Sequence, residues 1–150
     1  MEVLWVIGLI LFAAFAWGFL KSYSGSSITP IGKISGPKKY EVEVVGESNY
    51  QRALEKICGG RSEDGVEMYV DAMLILEDSN RYDNKAVRID VQGMTVGYLP
   101  RESAREYRKQ LKEAGHSKLT GVCGAVIRGG WDRGGGDKGH FGIWLDLPTD

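Results

Sequence analysis

Apolar and polar positions alternate with a period of two in several stretches of this chain and follow a helical period in two others. Tyr40, Val42 and Val44 alternate with Glu41 and Glu43, which predicts a half-buried strand ended by Gly46. Ser48 and Gln51 have capping-box spacing just before Tyr50, Ala53, Leu54 and Ile57, and Gly59-Gly60 follows. That pattern predicts a short helix. Val66, Met68, Val70, Ala72, Leu74 and Leu76 share one face of a long strand, and Val87, Ile89 and Val91 one face of another. Gln92-Gly93 reads as a tight turn into a strand over Met94 to Leu99.

Pro100 stands at a first-turn position, where its missing N–H costs nothing, and predicts a helix from about Arg101 to Ala114 stopped by Gly115. Leu119 to Arg128 reads as a strand in which Gly121 and Gly124 mark a bulge or bend. A glycine-rich loop from Gly129 to Gly139 leads into the alternating Phe141, Ile143, Leu145 and Leu147. The expected fold is mainly β (α+β), a small, strongly curved sheet or partly open barrel with two helices.

The amino terminus is different. Val3 to Leu20, VLWVIGLILFAAFAWGFL, is an uncharged run of 18 residues. As a helix it would cover roughly 27 Å, close to a hydrocarbon core of about 30 Å. Trp5 and Trp17 lie near its ends, and Lys21, Lys33, Lys38 and Lys39 follow it, against Glu2 alone before it. Charge asymmetry puts the positive flank in the cytoplasm and the amino terminus outside. A cleaved signal peptide is the competing reading, with Ala14-Phe15-Ala16 as the small-x-small site, although a basic leading region is missing. The organisation expected is a membrane anchor over 1–21, a Ser/Gly-rich tether over 22–37 and a single domain over 38–148.

Composition narrows the chemistry. The formal net charge of −1 over 150 residues does not advertise a nucleic-acid binder, so any electrostatic case rests on local clustering. Cys58, Cys123, His116 and His140 lack metal-site spacing, so no metal or other cofactor is expected. Two buried structural cysteines are the default, and a Cys58–Cys123 bridge belongs to the exported alternative. No nucleophile, base and orienting group form a motif, and no phosphate-binding G-x-x-x-x-G-K-[ST] occurs. A non-catalytic protein is expected.

Two features suggest binding. The polar loop Glu77 to Ala86 places an aromatic ring, carboxylates and cations at a turn between two strands. Arg101, Arg105, Arg108 and Lys112, spaced 0, 4, 7 and 11, share a stripe roughly 60° wide on the second helix. Segregated cations of this kind suit a phosphate backbone or an anionic lipid surface. Ordinary readings stand beside these. Asp83 can make an Asx turn with nearby N–H groups, Tyr82 can be an edge-of-core ring, and Glu–Arg pairs can solvate the helix. Trp131 could stack on a base, or its loop could be a mobile hairpin tip.

The chain from about Tyr40 to Leu147 resembles the HIRAN domain, a module found in some DNA-repair helicases and in stand-alone bacterial proteins. The marks are Val44-Val45-Gly46 followed by Tyr50, then Glu77, then Asn80-x-Tyr82-Asp83-x-x-Ala86-Val87, and Val96-Gly97-Tyr98-Leu99-Pro100. The resemblance implies a β-barrel related to the OB fold that grips the 3′ end of single-stranded DNA. Carried over by motif, Tyr50, Asn80, Tyr82, Asp83, Tyr98 and Arg101 would line the pocket, with Tyr82 supporting a terminal base or sugar and Asp83 contacting the terminal hydroxyl. Arg105, Arg108 and Lys112 would extend it along the helix. Implied partners are single-stranded DNA or a DNA 3′ end, the membrane through the N-terminal helix, and a repair or defence protein. Ser48-Asn49 stands where helicase-linked members carry an Arg-Tyr pair, and Arg81 where a proline is common. A protein-interaction or scaffolding module that has lost DNA binding is the alternative.

Overall fold

The computed structural model describes residues 30–148. The expected membrane span and most of the expected tether lie outside the described residues. Among the described residues, no helix is long and apolar enough to cross a membrane.

The described chain is mainly β. Seven strands run in the order β1 (Ile31–Lys33), β2 (Val42–Glu43), β3 (Val66–Leu76), β4 (Val87–Val91), β5 (Met94–Tyr98), β6 (Thr120–Gly129) and β7 (Phe141–Leu145). Two helices, α1 (Gln51–Cys58) and α2 (Arg101–Glu113), interrupt them. The strands form one curled, half-barrel sheet in the spatial order β2-β7-β6-β3-β4-β5, with β1 parallel to the start of β6. Just past β2, the chain returns to the opposite edge. Val45 donates its N–H to the Tyr98 carbonyl at 2.8 Å, and Tyr98 donates to the Val45 carbonyl at 2.9 Å.

That approach needs Gly97. Its φ is +153°, and a Cβ there would stand 2.4 Å from the Val44 side chain and 2.7 Å from the Val45 carbonyl oxygen. The strand periodicities read from the sequence account for the core. Ala72 and Leu74 of β3, Val87 and Ile89 of β4, Ala125 and Ile127 of β6, and Ile143 and Leu145 of β7 are fully buried on one concave face. Leu54 and Ile57 of α1 and Ala104, Tyr107 and Leu111 of α2 complete it, each at the helical spacing expected.

Four local expectations are corrected. Ser48 and Gln51 do not form a capping box, because Ser48 lies inside a 3-10 turn, Glu47–Tyr50, that makes no side-chain cap. Gln51 turns the other way: its amide donates to the Glu47 and Phe141 carbonyls, both at 2.9 Å, and accepts from the Phe141 N–H at 2.8 Å, tying α1 to β7. The expected tether contains strand β1 and a buried Ile34. Gly121 and Gly124 mark no bulge, since the β3–β6 register runs unbroken past Gly124 to Gly121. The shift lies instead in the β4–β5 pair, between Ile89 and Asp90. Gly121 makes room for Ile34 and for the Tyr107 hydroxyl. Finally, the loop from Gly129 to Gly139 is fastened: Arg61 donates to the Gly139 carbonyl at 2.6 Å, and the Trp131 indole donates to Asp137 at 3.1 Å.

Cys58 and Cys123 are both free thiols. Burial, reinforced by the charges of Asp146 and Asp71, pushes Cys123 up to about 12.

Gly97→Ala is expected to lower stability by about 2–3 kcal/mol through overpacking at the sheet closure, read as a shift in the urea midpoint at constant m-value. Cys123 is expected to resist a thiol reagent in the native protein and to react at the rate of unfolding, while half-buried Cys58 reacts sooner.

Candidate nucleic-acid interface

The loop between β3 and β4 is built by its own short polar side chains. Glu77 donates its N–H to the Ala86 carbonyl at 3.0 Å, closing the neck, and Ala86 donates to the Asp83 carbonyl at 3.0 Å. Within the neck, the Asn80 side-chain oxygen accepts from the Tyr82 and Asp83 N–H groups at 2.9 and 3.1 Å, and its amide donates to Glu77 Oε1 at 3.0 Å. Asp83 Oδ1 accepts from the Lys85 N–H at 2.9 Å, the Asx geometry anticipated as its ordinary reading. With these bonds made, the Tyr82 ring has no place inside. It is 90 % exposed at the tip of a braced turn, so it is not an edge-of-core residue.

Beside it lies an open cleft of about 310 Å³ lined by Glu77, Ser79, Asn80, Arg81, Tyr82 and Tyr98. Tyr98 reaches it from the far edge of the sheet, because the Val45 pairing fixes the end of β5. The base of the cleft is a polar network. Glu77 receives hydrogen bonds from Asn80, Tyr98 and Arg88, the last at 3.0 Å. Arg88 also forks onto Asp90 at 3.0 and 3.2 Å, and Asp90 accepts from Thr95 at 3.0 Å. Burial opposes the charge on Glu77, but the three donors outweigh it and hold its carboxyl below the ordinary range. Burial, then the bonded Glu77 carboxylate, push Tyr98 up to about 12, and nearby Tyr50 adds to this. Tyr98 is therefore a donor at any physiological pH.

The helix stripe meets the loop from its other flank. Arg108 is only 15 % exposed. Its guanidinium donates to the Lys85 carbonyl at 2.8 Å, the Ala86 carbonyl at 3.0 Å and the Asp78 carboxylate at 2.6 Å. Arg105 spans Asp83 at 3.3 and 3.4 Å, and Arg101 stands 3.5 Å from the same carboxylate. The backbone bond from Lys85, then the two guanidinium groups, keep Asp83 well ionised. Its side chain is 13 % exposed and lies against the arginines rather than in the apolar core.

The residues singled out in the sequence thus separate into two sets. Asn80, Tyr82 and Tyr98 share the cleft, with Tyr50 half-buried beside Tyr98. Asp83, Arg101, Arg105 and Arg108 form a seam that fastens the loop to α2, and Lys112 is exposed further along the helix. Three of the four cations of the stripe are thus engaged with the loop. Arg101 (72 % exposed) and Arg105 (49 %) still present part of their guanidinium groups to solvent.

Sequence reading missed Ser79, noted Arg81 only as a departure from a common proline, and gave Glu77 no role beyond a matching position. The available signal was alternation. Glu77 directly follows the apolar face that ends at Leu76, so a carboxylate there starts the turn beside the sheet.

Arg108→Ala is expected to cost about 1.5–3 kcal/mol, because it strips a charged donor from two backbone carbonyls. Arg101→Ala is expected to stay within about 0.5 kcal/mol. Chemical denaturation of both variants checks the contrast. Glu77 adds a pH dependence: its folded value is depressed, so its contribution is complete above the ordinary glutamate value of 4.5 and is lost as pH falls through the folded one. Glu77→Gln is expected to flatten the acid limb of the stability profile below that point.

Compared with known proteins, the chain matches no family model, no curated protein and no solved structure.

Proposed function

We propose that this protein is a non-catalytic binding module for nucleic-acid ends, built on an OB-like barrel of the HIRAN type. The N-terminal span would hold it at a bacterial membrane with the domain on the cytoplasmic side. The observation that carries the reading is convergence. Asn80 and Tyr82 belong to one stretch picked out by the family likeness and Tyr98 to a second, and the three line one cleft with a nearly bare aromatic ring at its rim.

The chemistry follows from that cleft. A terminal base stacks on Tyr82, at a lowered ordering cost because the backbone beneath the ring is already braced. Tyr98 and the Asn80–Glu77 pair supply donors and an acceptor for the sugar or base edge. Arg81 and the exposed parts of Arg101 and Arg105 attract the phosphates that follow. Asp83 acts here as a positioning residue: its carboxylate orients the loop through Arg101 and Arg105. A direct hydroxyl contact would compete with those two groups. Few phosphates are met, so binding is weak and salt-sensitive.

The protein-interaction alternative draws on one observation, the internal pairing of the α2 cations with Asp78 and Asp83, which reduces the charge available to a phosphate backbone.

Titration of the full chain with labelled single-stranded oligonucleotides tests the proposal. A free 3′ hydroxyl is expected to bind more tightly than a blocked 3′ phosphate, with affinity falling as salt rises. Tyr82→Ala is expected to remove about 1–3 kcal/mol of binding without changing the unfolding midpoint. Absence of binding at low salt, or indifference to Tyr82→Ala, overturns the reading.

A further inference from the structure

The convex face of the sheet, away from both the core and the cleft, carries an aromatic pavement. Tyr69 of β3 lies opposite Val126 of β6, and Val126 opposite Trp144 of β7, so the three side chains cross the sheet in a row. Two glycines seat rings beside them. The Trp144 indole lies 2.7 Å from the position of a Cβ at Gly142, and the Tyr40 ring 3.6 Å from one at Gly124. Tyr40 reaches this place through a left-handed backbone, φ 53°, and meets Tyr69 edge-on with centroids 5.3 Å apart. Val126, beneath the rings, is 0 % exposed although it faces away from the core. Covering Val126 explains Tyr40 and Trp144. It does not explain Tyr69, which remains 57 % exposed.

The molecule repeats one arrangement, once on this same face, in which a guanidinium lies over a ring and pairs with a carboxylate at the same time. Arg128 is 5.8 Å from the Trp144 ring and 3.7 Å from Glu67. Arg61 is 5.1 Å from Phe141 and 3.7 Å from Glu55. Arg133 is 5.4 Å from Trp131 and 3.6 Å from Asp137. Tyr69 has the other two parts of the set. Its hydroxyl donates to Glu67 at 3.2 Å, and exposed Asp71 follows two residues on, on the same face. Among the described residues, no guanidinium stands over it.

We propose that Tyr69, Tyr40 and Asp71 form a receptor for an arginine side chain presented by a segment of a protein partner. A guanidinium stacks flat on a tyrosine ring while its N–H groups meet the flanking carboxylates. Arginine is favoured over lysine because its planar, weakly hydrated fork can do both at once, whereas an ammonium is a compact, strongly hydrated point charge. Glu67 is already shared with Arg128, so Glu43 opposite Trp144 and Asp71 opposite Gly124 are the carboxylates beside the rings that repel a phosphate backbone and select a cationic partner. This surface is separate from the cleft and stands whether or not the cleft binds nucleic acid.

The test uses the full chain in detergent micelles and three fluorescein-labelled decapeptides of alternating sequence, arginine–serine, lysine–serine and citrulline–serine, followed by fluorescence polarisation. The arginine peptide is expected to bind at least roughly fivefold more tightly than the lysine peptide, with no binding of the uncharged citrulline peptide. Tyr69→Ala is expected to bring arginine down to the lysine level, and Asp71→Asn to weaken both. Equal affinity for arginine and lysine would reduce the surface to plain polycation attraction and overturn the proposal. Unchanged arginine binding in Tyr69→Ala, or self-association in sedimentation that Tyr69→Ala abolishes, would overturn it as well.

Discussion

The two hydrogen bonds between Val45 and Tyr98 hold the functional geometry of this protein together. They join the chain just past the first edge strand of a curled sheet to the far edge, and they can form only because Gly97 carries no side chain where Val44 and the Val45 carbonyl approach. The pairing fixes where β5 ends and so places Tyr98 at the base of the cleft. Pro100 then caps α2 with an extended backbone, ψ 146°, and its carbonyl accepts from Ala104 at 2.8 Å. The start of the helix that braces the loop is therefore set by the same closure. Val45, Gly97 and Tyr98 act as one device, although they fall in two separate stretches of the sequence.

A second constraint operates in the loop, where most of the charge is spent internally. Asp78 and Asp83 neutralise part of the α2 stripe, while Glu77 and Asp90 share Arg88. Exposed pairs of this sort add little stability one by one. Arg108 is different, since it is mostly buried, meets the Lys85 carbonyl and adds a second donor to the Ala86 carbonyl already bonded by Glu77. The result is a polar loop with little freedom left, and that rigidity suits it to presenting one aromatic ring to a ligand.

Much of this was legible in the sequence, and the physical reason is periodicity. Alternation over Val66 to Leu76 and over Phe141 to Leu147 named the buried face correctly, because a half-buried strand admits only one register of apolar side chains. The helical spacings at Leu54 and Ile57, and at Ala104, Tyr107 and Leu111, named the helix faces for the same reason. What failed was anything decided by a partner distant in sequence. Gln51 has the right spacing for a cap, yet it bonds to Phe141, 90 residues away. Gly121 and Gly124 resemble breaks in a strand, but they are seats for Tyr107, Ile34 and Tyr40. The cation stripe was visible as a stripe. That it faces two aspartates from another loop was not, because i, i+4 spacing says which side chains share a face and nothing about what that face meets.

The near-zero net charge takes on a meaning in this light. Around the domain, cations are consumed in holding rings and turns in place: Arg108 by the carbonyls of the β3–β4 loop, Arg61, Arg128 and Arg133 by rings and carboxylates together. A protein arranged this way would gain little from long-range attraction if it binds a ligand as proposed. Under the proposed reading, selectivity would come from shaped contact, at Asn80, Tyr82 and Tyr98 on one face and at Tyr69 and Tyr40 on the other. A tether that keeps the domain near its ligand would offset the weak attraction by raising effective concentration. That links the expected N-terminal span to the chemistry of the cleft.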